Sequence, residues 1–138
     1  MLDSPKKEFG KKTREKYLLE ISEWEDSLMF ISEEIKFLGK LLNAGIFEPN
    51  IPNLYERLQQ YLKKLQGLKN QKILLEKEIE RYKTDFDKEL GQDEEHKYSL
   101  IKRTHLQLRK NMKEFSKNIS SLKLEIFNYT GTILKKSK

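Results

Sequence analysis

The chain has no cysteine, three prolines, six glycines and two histidines in 138 residues. Each scarcity excludes something. Without cysteine there can be no disulfide, no thiolate metal site and no cysteine nucleophile. The prolines are Pro5, Pro49 and Pro52, so nothing beyond residue 52 breaks a helix by ring closure. Glycine-rich phosphate loops, a nucleophile elbow, a His-Glu-x-x-His zinc signature and a sequence-matched internal repeat are all missing. The longest charge-free stretch runs only from Ile126 to Leu134, far short of the roughly 20 residues that span a bilayer, and the N-terminus has no apolar signal core. The expected location is the cytoplasm, and neither a cofactor nor a metal is expected.

What the chain has in quantity is charge and period. Charged residues make up 36% and hydrophobic residues 36%, with a formal net charge of +6. Stepping alternately by four and three gives Tyr17, Ile21, Trp24, Leu28, Ile31, Ile35, Leu38 and Leu42, all apolar or aromatic. The same stepping gives Leu54, Leu58, Tyr61, Leu65, Leu68, Lys72, Leu75, Ile79, Tyr82, Phe86 and Glu89, broken only at Lys72 and Glu89. A third series runs Tyr98, Ile101, His105, Leu108, Met112, Phe115, Ile119, Leu122, Ile126, Tyr129 and Ile133, with His105 its one exception. A repeat averaging 3.5 residues favours helices that wrap one another with left-handed supercoil.

Apolar residues beside the seams (Leu18, Phe30, Phe37, Leu41, Leu62, Leu74, Leu106 and Leu124) widen each stripe, which suits three helices better than two. Asn43-Ala44-Gly45 reads as a helix stop, and Pro52-Asn53 with Glu56 as a start. Leu90-Gly91-Gln92-Asp93 reads as a tight hairpin ending in an N-cap. The expected fold is all-α: an elongated antiparallel three-helix bundle, up-down-up, with left-handed coiled-coil packing. Its helices span about 16–43, 53–90 and 94–134 within a bundle of residues 16–135, after a basic segment 1–15 that is flexible or a short helical extension. In general form this layout is similar to spectrin-repeat-like modules and other adaptor bundles, a likeness of architecture that carries over no site residues.

Charge is unevenly placed. Residues 1–16 hold six basic and three acidic side chains, 17–101 twelve and seventeen, and 102–138 ten and two. A basic third helix could meet phosphates through Lys110, Lys113 and Lys117, supported by the lysine-rich termini. The simpler reading pairs its cations, among them Arg109 and Lys123, with an acidic first helix carrying Glu20, Glu23, Glu25, Asp26, Glu33 and Glu34.

Neither histidine sits in the Glu-x-x-His pattern of di-metal bundles. Pairing Leu42 with Leu54 and centring the second turn near residue 92 places Lys72 beside Trp24 and Met112, and His105 beside Tyr17 and Ile79. A seam lysine lays its stem on the core and can specify register at a cost in stability, while a seam histidine is most simply a hydrogen-bonded core residue. A ligand or metal site around His105 and Lys72 is the weakest of the readings.

The same register makes the second hairpin overhang the first helix, leaving Tyr82, Phe86, Leu90, Tyr98 and Ile101 as an apolar tip in need of a partner. The expected function is therefore a non-enzymatic helical protein-protein interaction or adaptor module, with a protein partner or a homodimer at that tip. The alternative is a basic nucleic-acid-associated protein using helix three and the termini.

Overall fold

In the computed structural model, residues 10–89 and 95–136 are described, and they form an antiparallel three-helix bundle. Helix α1 spans Lys11–Leu42, α2 Leu54–Glu89 and α3 Glu95–Gly131. The heptad seams are its core. All eight α1 seam residues are buried, as are Tyr61, Leu65, Leu75, Ile79, Tyr82 and Phe86 from α2 and every α3 seam residue except the half-buried Tyr129. Each large side chain so buried contributes about 1.5–3 kcal/mol of transfer free energy, which makes the seams the main apolar contribution to the helices' association.

The chain divides into two compact units, each of which takes a segment from all three helices. The first unit is Met1–Leu28 with Ile73–Glu114, and the second is Met29–Lys72 with Phe115–Lys138. In the second unit, Asn43 donates through its backbone N and its Nδ2 to the Gly39 carbonyl, at 3.2 and 3.0 Å, and closes α1. Gly45 follows at φ 68, the left-handed stop expected there.

Asn53 opens α2, at the start expected there, from an uncommon backbone conformation. Its φ of 57 lies in the left-handed region that asparagine tolerates better than most residues, and its carbonyl accepts the first α2 hydrogen bond from Arg57 at 2.9 Å. The link between α1 and α2 is not a simple return. Phe47 is buried and pairs antiparallel with Leu134, through Glu48 N–H to the Ile133 carbonyl at 2.8 Å and Lys135 N–H to the Ile46 carbonyl at 2.9 Å. This pairing takes residues 133–135 out of α3, which ends at Gly131, short of the expected 134.

Two expectations are corrected. Leu18, Phe30, Phe37, Leu74, Leu106 and Leu124 do not widen the core: all are exposed, because one a/d seam per helix, rich in aromatics, already fills the interior. The register of α1 on α2 is also displaced. Lys72 shares a groove with Ser32, Ile35, Lys36 and Gly39, and it bounds the second unit as Met29 does, more than one turn along α1 from the expected Trp24. The irregular link through Phe47 sets this displacement, and with α1 starting at Lys11 it removes the overhang. Tyr82, Phe86, Tyr98 and Ile101 are all buried in the single chain, and Leu90 lies outside the described residues.

Candidate interaction surfaces and the buried histidine

In the first unit the seam position held by His105 is 0% exposed. Its ring stacks on Tyr17 at 3.6 Å between centroids with planes 2° apart, as the sequence placed it, and tilts against Trp24 at 4.8 Å. The Tyr82 hydroxyl lies 2.8 Å from Nδ1. Burial raises the Tyr82 hydroxyl above the usual phenol range and keeps it protonated; with Nε2 facing a carboxylate, the imidazole proton is assigned to Nε2 and the hydroxyl donates to Nδ1. Nε2 points toward Glu20, 3.4 Å from Oε1, without a well-aligned hydrogen bond. Glu20 is held in turn by Arg109, whose Nη2 and Nε donate to the two carboxylate oxygens at 2.6 and 2.8 Å.

The charge state of this relay follows from its surroundings. Burial pushes His105 down to about 4, against the opposing pull of Glu20, and Arg109 lowers it further. The Arg109 hydrogen bonds hold Glu20 below the usual carboxylate range. At neutral pH the cluster is a neutral histidine between two neutral tyrosines and an ionised Glu20–Arg109 pair. A general base must reach its substrate and titrate near the working pH, and His105 as placed does neither. Among the described residues no group of three or more His, Asp or Glu side chains could hold a metal ion.

The helix pairing expected from charge is seen at two places. Arg109 binds Glu20, and in the second unit Lys123 binds Glu34, so α3 cations meet α1 carboxylates. Lys110, Lys113 and Lys117 take no part in this: all three are exposed and form no ion pair among the described residues.

Two features of the second unit were not read as sites from the sequence. One is aromatic. Phe30 is 66% exposed, Phe37 57% and Phe127 42%. Residues three or four apart on a helix are surface neighbours, so Phe30 and Phe37 flank Glu34, and Phe127 flanks its partner Lys123. By spacing, all three rings are helix-surface neighbours of one ion pair. The i, i+7 spacing of Phe30 and Phe37 is visible in the sequence, where it reads as a widened core stripe.

The second feature is a groove of about 240 Å³ between α1 and α2, lined by Ser32, Ile35, Lys36 and Gly39 on one side and Leu62, Leu65, Gln66, Lys69 and Lys72 on the other. It holds three lysines and no acid. In the first unit a second groove of about 370 Å³ lies between Glu78, Arg81 and Asp85 of α2 and Arg103, Gln107 and Asn111 of α3, over Tyr82 and Leu108, and there the charges are balanced. No described helix is long and apolar enough to cross a membrane. No protein-family model, curated protein or solved structure matches the chain.

Proposed function

We propose that the chain is a non-enzymatic helical protein-protein interaction or adaptor module whose contacts run through the aromatic patch of the second unit. The observation that supports this is the exposure of Phe30, Phe37 and Phe127 at positions neighbouring the Glu34–Lys123 pair, on a chain whose seam aromatics are turned inward. Burying each ring against a partner supplies about 1.5–3 kcal/mol, and aromatic anchors with a polar surround suit a protein interface. A tip contact through Tyr82, Phe86, Tyr98 and Ile101 would first require opening the single-chain core. The heptad spacing supports left-handed coiled-coil packing of the helices.

Phe30→Glu with Phe37→Glu is expected to leave helicity and thermal midpoint near wild type, since exposed positions typically move stability by about 0.5 kcal/mol or less. The same variant should lose whatever assembly the wild type shows, whether a homodimer seen by sedimentation or a cross-linked protein partner. A wild type that stays monomeric at high concentration and cross-links to nothing removes the support for this reading.

A second reading, a basic nucleic-acid-associated protein, is favoured by Lys110, Lys113 and Lys117, which stand exposed on α3 without ion pairs among the described residues. If these three contact phosphates, the logarithm of the binding constant for short duplex DNA should fall with log salt at a slope of about −3. Lys113→Gln with Lys117→Gln should reduce that slope by about 2. No retention on DNA at low salt defeats this reading.

A further inference from the structure

We propose that the α1–α2 groove of the second unit is the docking site for an acidic amphipathic helix of a partner protein. The inference rests on the module reading above but uses a different flank of α1 from the phenylalanine patch. Its floor is aliphatic, from Ile35, Leu62 and Leu65, and its rims carry Lys36 on one side and Lys69 and Lys72 on the other. Two residues here depart from what the fold alone would choose. Lys72 occupies a seam position where a heptad calls for an apolar side chain. Gly39 lies inside α1, where glycine is a poor helix former, yet a Cβ there would meet nothing within 4 Å and its φ is not positive. Neither conformation nor internal packing requires glycine at 39, but the close approach of a visiting side chain would.

Charge selects the occupant. The second unit holds twelve basic and five acidic residues against sixteen and seventeen in the first, so the groove sits in the basic part of the chain. A second copy seated here by its own basic unit would add like charge. Nucleic acid is disfavoured because the groove offers no aromatic ring to stack a base and no arginine fork for a phosphate. An amphipathic helix instead places apolar side chains at i, i+3 and i+4 on the floor and carboxylates on the lysine rims. Lys69 lies on the α2 rim and Lys36 on the α1 rim, so carboxylates on either side of a visiting helix meet a lysine. Lys36 is held only by Glu33, in an exposed contact at 3.4 Å that a partner carboxylate can replace.

The test uses the full chain and a synthetic three-heptad peptide with Leu at its core positions and Glu on its flanks, compared with the peptide carrying Lys in place of Glu. Binding is followed by anisotropy and by amide chemical shifts. The acidic peptide should bind at least about tenfold tighter than the basic one. Lys36→Glu with Lys69→Glu should weaken it by about tenfold or more, and Gly39→Leu should abolish it without lowering the thermal midpoint.

No binding of the acidic peptide, binding unchanged by Gly39→Leu, or equal competition by short duplex DNA would overturn the assignment. So would a wild-type dimer that Gly39→Leu dissociates, since the occupant would then be a second copy. If Phe30→Glu with Phe37→Glu abolishes peptide binding and Gly39→Leu does not, the groove assignment falls while the module reading stands. If peptide binding follows the groove variants but the phenylalanine variant leaves every assembly intact, the aromatic patch falls and the groove remains.

Discussion

Phe86→Glu is expected to unfold the chain at neutral pH, seen as loss of the helical circular dichroism signal without denaturant. Phe86 is 0% exposed and meets Tyr82 edge-on at 5.9 Å, next to the Tyr82–His105 hydrogen bond. Truncating a buried phenylalanine typically costs about 3–5 kcal/mol, and an unpaired carboxylate in that space costs several kcal/mol more unless it protonates. A domain of this size has about 5–15 kcal/mol in all, so the substitution consumes most or all of it. Phe86→Leu, which keeps most of the apolar volume, should retain the fold at a cost of about 1–2 kcal/mol in urea titration. If Phe86→Glu kept wild-type helicity and cooperative unfolding, Phe86 would be a surface residue and the burial of the hairpin tip would be wrong.

That tip shows where the sequence stopped being informative. The seams were legible because helical period depends only on residue class: each of Tyr17 to Leu42 in steps of four and three is buried, and so is His105 against Tyr17. The register between helices was not legible. It depends on the conformation of residues 43–53, where Phe47 turns inward and pairs with Leu134 in place of a tight return. An error of more than one turn there created an apparent overhang of Tyr82, Phe86, Tyr98 and Ile101, which the chain itself buries.

The same limit hid the candidate sites. Lys72 and Gly39 were each visible as anomalies, one in a seam and one in a helix, but that they line one groove depends on register. For Phe30 and Phe37 the obstacle was different. Composition cannot tell a widened core stripe from an exposed face, and only the finding that one seam fills the interior places them outside.

His105 should make stability depend on pH in a window set by its own titration. Its pKa is about 4 in the folded chain and near 6.5 when unfolded, so between these values the unfolded state binds more protons than the folded state. Stability is therefore complete above about pH 6.5 and declines as pH falls toward 4, by up to about 3 kcal/mol from this residue. Glu20, held below its usual range by Arg109, acts in the same direction but only lower down, as the pH falls below the ordinary carboxylate value. Removing His105 alone would confuse the test, because the buried Tyr82 hydroxyl would lose its acceptor at a cost of about 1–3 kcal/mol. The informative variant is His105→Phe with Tyr82→Phe, which keeps aromatic contact with Tyr17 and Trp24 and removes both polar partners together. Urea titrations from pH 7 to pH 4 should show its stability curve flatter than wild type, with the two proteins closest at pH 7 and the variant ahead near pH 4.5. His96 is common to both chains and drops out of the difference. Parallel curves across the whole range would mean that His105 titrates alike in the folded and unfolded chains, and the buried neutral imidazole hydrogen-bonded to Tyr82 could not then be as described.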